Sequence, residues 1–191
     1  QEEDSLIFCE KPDARHGAAL IETPNGPLRI HNFYVPAGGD IPDPEANDKF
    51  AHKLGFLEEM RAWGKKAKKS QIPTVLVGDL NVAPLEHDVW SHKQMLKIVS
   101  HTPMETERML AAIADGGWVD AMRHLIPEPQ KLYTWWSYRA TDWDASDRGR
   151  RLDHIWITPD LVSSLGELTI LREARGWERP SDHVPVIMTL S

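Results

Sequence analysis

A carboxylate and an amide stand two residues apart, directly after an apolar run. Asp79 and Asn81 follow residues 74–77, whose continuous apolar character predicts a central β-strand buried on both faces. In an extended chain, side chains two residues apart point to one side. An aspartate and an asparagine so placed can bind a hard cation such as Mg²⁺ through oxygen and orient a water or a phosphate. The same residues also suit an Asx turn, and the pattern favours neither interpretation.

Three further acidic and imidazole groups lie near other predicted strands. Asp182 and His183 are adjacent just before the last strand, so the carboxylate could bind a metal while the ring contacts a phosphate or water. Pairs of this kind are also common on protein surfaces. Asp153 begins another strand and needs a partner if it is buried. His183 would give an Asp–His pair that fixes the ring tautomer, and Arg151 would give a salt bridge instead.

Tyr34 ends the predicted strand at 28–34 and precedes a loop rich in glycine and proline. Its phenol could donate a hydrogen bond to a phosphoryl oxygen. A half-buried strand residue is the alternative, and the residue taken by itself favours that alternative. The four clusters are Asp79 with Asn81, Asp182 with His183, Asp153, and Tyr34. Each lies at an end of a predicted strand, the position at which sheet-based enzymes collect their reacting side chains.

Both helices and strands are predicted around these groups. Apolar residues at helical spacing predict a helix from Phe50 that ends among the lysines at 65–69, and Thr102 with Glu105 predicts a capped helix that ends at residues 116–117. Pro24 to Pro27 separates the first two strands as a hairpin turn. The predicted strands cover residues 18–22, 28–34, 74–77, 133–137, 152–157, 168–171 and 186–190. Without repeats or a linker, residues 1–191 are expected to form a single mixed α and β domain.

Composition narrows the classes of protein that remain. The 191 residues carry a formal charge of −7 and are 41% apolar, which suits a globular domain with one core. The net negative charge argues against a protein that coats nucleic acid by electrostatic attraction, but not against an acidic metal site. One cysteine, no long apolar segment and an acidic start without a signal-peptide pattern lead us to expect a cytoplasmic protein without a membrane span.

Six motifs, taken together and in order, resemble the exodeoxyribonuclease III family, which belongs to the endonuclease/exonuclease/phosphatase superfamily and includes the abasic-site endonucleases. They are HNFYVP at 31–36, GDLNVAP at 78–84, WVDAMR at 118–123, YTWWSYR at 133–139, RLD at 151–153 and PSDHVP at 180–185. The resemblance runs from about residue 14 to the end. It implies an α/β sandwich of two sheets with helices outside. Within the third motif, Asp120 and Arg123 are expected to form a structural ion pair.

The resemblance also implies roles for the site residues. Asp79 and Asn81 would hold or activate the attacking water, with Asp79 near the metal, and His183 would contact the scissile phosphate while Asp153 orients it. The resemblance does not identify the residue that accepts the proton of the attacking water. The implied catalytic set is Tyr34, Asp79, Asn81, Asp153 and His183, with Tyr34 stabilising the charged transition state. The implied metal ligands are Asp79, Asn81 and Asp182, for Mg²⁺ or alternatively Mn²⁺.

DNA contacts are expected on the strand and loop around residues 133–151. By the resemblance, Trp135 lies beside a pocket for an abasic sugar, whereas Trp136 is expected in the core because alternate strand positions face opposite ways. Arg139 and the arginines at 148–151 suit backbone phosphates. The implied DNA-binding set is Trp135, Arg139, Arg150 and His183.

Two departures from the family pattern affect these expectations. Ala37 follows the first motif where relatives often carry Asn or Gln, so a phosphate contact is missing or is supplied by Gly38 and Gly39. The family's first third, with an Asn-bearing strand and a metal-binding Glu, has no match in residues 1–15. We therefore expect the chain to correspond to the C-terminal two-thirds of such a catalytic domain, an N-terminally incomplete sandwich, and to be inactive or nearly so by itself.

The implied parent activity is metal-dependent hydrolysis of phosphodiesters in duplex DNA during base excision repair. Such a monomeric enzyme would cut beside abasic sites and remove nucleotides from 3′ ends. One alternative is a phosphatase or phosphodiesterase acting on a small molecule or a lipid headgroup, against which Trp135 and the arginines at 139–151 argue. The other is a remnant that binds DNA without cutting it, whose affinity would not depend on a metal.

Overall fold

A six-stranded sheet forms the centre of the computed structural model, which describes residues 3–191. Its strand order is β1-β2-β3-β4-β8-β5, and only β3 and β4 run parallel. The strands are β1 (Glu3–Asp4), β2 (His16–Thr23), β3 (Gly26–Phe33), β4 (Thr74–Asp79), β5 (Val119–Asp120), β6 (Trp135–Trp136), β7 (Gly149–Arg150), β8 (Asp153–Ile157), β9 (Leu165–Ile170) and β10 (Val186–Leu190). Antiparallel pairs β6–β7 and β9–β10 form two further small sheets.

Five α-helices accompany the strands within residues 3–191. They are α1 (Asp48–Ala67), α2 (His92–Met95), α3 (Pro103–Gly116), α4 (Ala121–Leu125) and α5 (Trp143–Ser146). The predicted cap of α3 is confirmed, because the backbone N–H and hydroxyl of Thr102 both donate to Glu105, and Gly117 ends the helix with φ of 66°. Within residues 3–191, no helix combines the length and apolar character needed to cross a membrane.

The central sheet is covered on both faces. On one face α1 and α3 pack against strand residues that include Phe33, Leu76 and Trp156. On the other, Val75, Ile155 and Ile157 meet α4, β9 and β10. These two cores explain why the run in β4 is apolar at every position, since a central strand buries both of its faces. The expected mixed sandwich with outer helices is confirmed, its second layer consisting of the β9–β10 pair.

Several strands differ in length from the sequence prediction. The hairpin is confirmed, with Thr23 opposite Gly26 and Gly26 at φ of 105°. The run at 133–137 contains only the two residues of β6, although Thr134 also pairs through its backbone with Arg150. Conversely, β9 begins three residues before the predicted 168. Short strands at the rim depend on their partners, which the local sequence does not specify.

Gly78 allows β4 to approach β3 closely just before the first polar motif. Its φ is +140°, and a Cβ built there would lie 1.9 Å from the carbonyl oxygen of Phe33. No other residue fits that position, so the glycine is required for this close approach of the two main chains.

Four charged side chains form an ion network inside the fold. Asp88 accepts from Arg151 Nε at 2.8 Å and from Arg123 Nη2 at 2.6 Å. Arg151 also donates to Asp120 at 2.7 Å. The expected Asp120–Arg123 ion pair is therefore wrong. From Arg123, Asp120 accepts only the backbone N–H, as the cap of α4, while the guanidinium of Arg123 donates to Asp88. Sequence spacing could not reveal Asp88, which comes from a distant loop.

Candidate active site

One pocket of about 910 Å³ collects the nine residues of the implied catalytic, metal-binding and DNA-binding sets. It opens where β3, β4 and β6 end, where β8 begins and where the loop before β10 passes. The nine residues are Tyr34, Asp79, Asn81, Trp135, Arg139, Arg150, Asp153, Asp182 and His183. Since these residues come from distant parts of the chain, the fold rather than local sequence brings them together.

His183 and Asp153 form a hydrogen-bonded pair. The backbone of residues 182–184 pairs with β6, through Trp136 N–H to Asp182 O and Val184 N–H to Thr134 O, and this pairing carries His183 to the start of β8. The Nδ1 of His183 lies 2.8 Å from Asp153 Oδ2. Of the two partners considered for Asp153, the structure therefore has the imidazole and not Arg151.

The other ring nitrogen of His183 faces a second carboxylate. Nε2 lies 3.7 Å from Asp79 Oδ2. Burial lowers the pKa of His183, but the hydrogen bond and charge of Asp153, with the charges of Asp79 and Asp182, outweigh it and raise the pKa above its ordinary value. When the ring is protonated, its Nε2 can donate a hydrogen bond to a phosphate oxygen.

Asp79 and Asn81 make an Asx turn and also face the pocket. The backbone N–H of Asn81 donates to Asp79 Oδ1, and its amide donates to Asp79 Oδ2, each at 3.0 Å. Asn81 has φ of 53°, so the turn, not strand alternation, brings the two side chains together. Burial raises the pKa of Asp79 to about 6, with the charge of His183 acting against it. The motif is therefore an Asx turn whose two side chains also face the pocket.

A cation would find donor atoms at the centre of this pocket. Asp79, Asp153 and His183 each offer one ligand atom, and these atoms lie within 4.8 Å of one another. This set shares only Asp79 with the predicted ligands. Asp182 lines the same pocket and accepts a hydrogen bond from Trp135 Nε1 at 2.9 Å, while Asn81 lies against Asp79. Carboxylate oxygens suit a hard divalent cation, so the side chains present fit such an ion.

The side wall of the pocket is aromatic and basic. Tyr34 is half exposed at the rim, with the guanidinium of Arg15 4.9 Å from its ring centroid. Trp135 faces the pocket, whereas Trp136 is 2% exposed, so the predicted core position of Trp136 is confirmed. Arg139 is exposed at the rim. Arg151 is fully buried and so does not reach DNA, contrary to expectation.

Sequence reasoning missed the buried lysine beneath the site. Lys53 is fully buried and donates to the carbonyl oxygens of Asn81 and Ala37 at 2.7 and 3.2 Å. Its ion-pair partner is Glu105, which the sequence analysis took only for a helix cap. A signal existed, because Lys53 falls on the apolar stripe of α1 between Phe50 and Leu57, where a charge needs a buried partner.

The fold and the pocket together define an α/β sandwich protein with an Asp–His pair beside clustered carboxylates. Residues 5–183 match the family model described as Endonuclease/Exonuclease/phosphatase family. The chain belongs to that family.

Sequence relatives and solved structures agree with this membership. Exodeoxyribonuclease III of Haemophilus influenzae is 29% identical over 174 residues, which are 88% of this chain and 63% of that protein. Exodeoxyribonuclease of Bacillus subtilis is 33% identical over 121 residues, 62% of this chain and 45% of that protein. The chain thus spans less than two-thirds of the length of either relative.

The structural neighbours have the same architecture. An AP endonuclease from Archaeoglobus fulgidus superposes with a TM-score of 0.85 at 26% identity, covering 98% of this chain and 70% of that one. A 3′ phosphatase from Neisseria, bound to a product DNA hairpin, gives a TM-score of 0.87 at 25% identity, covering 100% and 71%. The predicted endonuclease/exonuclease/phosphatase-like fold is therefore confirmed.

Proposed function

We propose that this chain is the phosphoester-hydrolysing part of a metal-dependent DNA repair nuclease. Its substrate would be duplex DNA that contains an abasic site or a 3′ end to be removed. The observation that supports this most directly is the line of Asp153, His183 and Asp79, joined by contacts of 2.8 and 3.7 Å inside one pocket. The names of the relatives, an exodeoxyribonuclease III and an AP endonuclease, support the choice of DNA.

In the proposed reaction, water attacks the scissile phosphorus in line with the leaving oxygen. His183 donates from Nε2 to a nonbridging oxygen, while the hydrogen bond between Nδ1 and Asp153 fixes the orientation of the ring. Asp79 and Asn81 orient the water. Tyr34 donates its phenolic hydrogen to the phosphoryl group from the rim. Groups fixed in advance around the developing negative charge typically contribute on the order of a hundredfold or more each to the rate.

Mg²⁺, or Mn²⁺ in its place, is the proposed cofactor, and it would supply a Lewis acid that withdraws charge from the phosphoryl oxygens. Asp79 would hold it, with Asp182 and the amide oxygen of Asn81 as the other proposed ligands from this chain. A bound cation would also favour ionised Asp79, whose pKa burial raises to about 6.

DNA would approach along the aromatic and basic wall of the pocket. Trp135 offers a flat surface to a sugar that has lost its base, and Arg139, exposed at the rim, suits a backbone phosphate. Contacts of this kind favour DNA over a small phosphoester, because they lie outside the hydrolytic centre. We also propose that the protein is a monomer and that it is located in the cytoplasm.

The test compares cleavage and binding on one set of substrates. The 191-residue chain is incubated with Mg²⁺ and a labelled duplex containing a tetrahydrofuran residue, an undamaged duplex, or bis(p-nitrophenyl) phosphate. Because residues 1–15 do not match the family's segment with a metal-binding Glu, we expect little or no incision at the tetrahydrofuran residue by the chain itself, and we expect Asp79→Asn to abolish any incision that occurs. Anisotropy measurements on the same duplexes test recognition independently of turnover, and we expect tighter binding to the damaged one.

The outcomes separate the candidate functions. Hydrolysis of the small ester without incision of DNA would favour a small-molecule phosphoesterase. DNA affinity that is unaffected by Mg²⁺ and by His183→Ala, without incision, would favour a protein that only binds DNA. Equal affinity for damaged and undamaged duplexes together with no incision would refute the proposal.

A further inference from the structure

Arg150 places its guanidinium in the pocket, and no acidic side chain among the residues that the structure describes forms an ion pair with it. Its Nη1 donates to Ser100 Oγ at 3.0 Å and to the carbonyl oxygen of Val99 at 3.3 Å, and its Cζ lies 4.9 Å from the ring centroid of Trp135. Within residues 3–191 its Nε is buried without a hydrogen-bond partner, and it forms no ion pair there. The neighbouring Arg151, by contrast, has two carboxylates.

The burial of this charge is not compensated inside the described chain. Burial lowers the pKa of Arg150, and only Glu105 acts against it. Glu105 is itself paired with Lys53, both side chains being fully buried. A partly desolvated cation held in place by neutral groups attracts an anion from solution, since its own hydration is incomplete.

The strand register places Arg150 in line with the hydrolytic centre. Arg150 is opposite Trp135 in the β6–β7 pair, and Trp135 is opposite His183 on its other side. Residues opposite each other in an antiparallel pair point to the same face. With strands about 4.8 Å apart, the main chain at Arg150 lies about 10 Å from that at His183, with the indole between them.

We propose that Arg150 binds a second phosphate of the substrate, on the far side of a sugar held against Trp135, while the scissile phosphate lies at His183. This rests on the proposed function and narrows its substrate. The favoured ligand is a deoxyribose unit that carries a phosphate on both its 5′ and its 3′ side. Internal abasic sites have that arrangement, whereas a 3′-terminal nucleotide with a free hydroxyl does not.

Two matched duplexes isolate the second phosphate. Each has a nick directly after a tetrahydrofuran residue, and they differ only in whether that residue ends in a 3′-phosphate or a 3′-hydroxyl. Dissociation constants are measured by anisotropy in EDTA, so that cleavage plays no part. We expect the phosphate to tighten binding by on the order of tenfold to a hundredfold, as a charge-assisted hydrogen bond would.

Variants then assign the difference to Arg150. Arg150→Leu is expected to bring the two constants within about twofold of each other, and Arg150→Lys to keep part of the difference because it retains the charge but loses the planar fork. Arg172→Leu is the matched control, since Arg172 also stacks on tryptophan, Trp143 at 4.7 Å, and is not part of the pocket wall. It should leave the difference intact.

The failure of this inference is distinguishable from that of the proposed function. If the unsubstituted chain prefers both nicked duplexes over an undamaged nicked duplex but does not separate them, Arg150 is not a phosphate receptor, although the proposed function stands. A difference that persists undiminished in folded Arg150→Leu overturns the inference as well. If neither damaged duplex is preferred over the undamaged one, both proposals fail.

Discussion

The buried Lys53 donates a hydrogen bond to the main chain of the turn that contains Asn81. Its Nζ lies 2.7 Å from the carbonyl oxygen of Asn81 and 3.2 Å from that of Ala37, so one ammonium group on α1 joins two loops of the pocket. Glu105 at the start of α3 accepts the remaining contact and also binds the backbone N–H of Ser100. The left-handed turn at Asn81 therefore depends on a charge that never meets solvent.

Replacing this lysine with methionine should destabilise the protein strongly. Lys53→Met leaves the carboxylate of Glu105 buried without its cation, a change that typically costs about 3–5 kcal/mol. Urea unfolding followed by tryptophan fluorescence measures the loss. Lys53→Met combined with Glu105→Gln should recover part of it, because the uncompensated charge is then absent.

The control for this substitution is an exposed lysine on the same helix. Lys65 pairs with Asp115 at 3.1 Å, and its side chain is 53% exposed. Lys65→Met should therefore cost less than about 1 kcal/mol. A similar small loss for Lys53→Met would contradict the structural role assigned to the buried pair.

Much of the fold was predictable because its signals are local. The apolar run of β4, the Gly26 hairpin and the Thr102–Glu105 cap each depend on neighbouring residues, and each appears in the structure. Rim strands were less predictable. The strand expected at 133–137 is short because its pairing is limited by β7 and by the loop before β10, which are distant in sequence.

The site was predictable in its polar motifs but not in its supports. Asp79, Asp153 and His183 follow or begin strands, and their convergence follows from sheet geometry. Nothing local distinguishes Arg150, which faces the pocket, from Arg151, which is buried with Asp88. Those two side chains differ because adjacent positions on an extended chain face opposite ways, and the face toward the core depends on tertiary packing.

Removing the carboxylate of Asp153 should lower the pKa of His183. In metal-free protein the folded pKa of His183 lies above its ordinary value, so protonation of the ring stabilises the fold below about pH 6.5, and that contribution is lost as the pH rises through the folded pKa. In Asp153→Asn the ring of His183 is still buried, and burial favours its neutral form. We therefore expect the pKa of His183 to fall in this variant, which NMR titration of the imidazole measures.

The comparison variant is Asp182→Asn. Its charge also raises the pKa of His183, but less than Asp153 does, and it makes no hydrogen bond to the ring. It should therefore shift the titration less than Asp153→Asn. An equal or larger shift would show that the hydrogen bond to Nδ1 is not the main source of the raised pKa.

The two adjacent tryptophans should differ in what their loss costs. Trp136 is 2% exposed, packs among Tyr133, Ala174 and Val184, and donates to Asp147 at 3.1 Å. Trp136→Ala should destabilise the fold by about 3–5 kcal/mol. Trp135→Ala should cost less, because one side of that ring faces the pocket, but it should weaken binding of the tetrahydrofuran duplex. Chemical denaturation and anisotropy on both variants check this, and equal stability losses would contradict the assignment.

Acidification should destabilise the fold through His154, which faces away from the pocket. Its ring is almost fully buried, and Nε2 lies 2.8 Å from the carbonyl oxygen of Val82. Burial lowers its pKa to about 4, with the charge of Arg151 acting in the same direction. Because the unfolded ring binds a proton near pH 6.5 and the folded ring does not, stability present at pH 7 falls as the pH drops from 6.5 to 4, by about 3 kcal/mol in all.

Urea unfolding at a series of pH values, compared between the unsubstituted chain and His154→Gln, isolates this contribution from the carboxylates. Glutamine can still donate to Val82 but does not titrate, so the variant should lose less stability between pH 6.5 and 4. His124→Gln is the matched control, since His124 is exposed on α4 and should leave the slope unchanged. If His154→Gln keeps the full pH dependence, the buried ring is protonated in the folded state, and the low pKa is refuted.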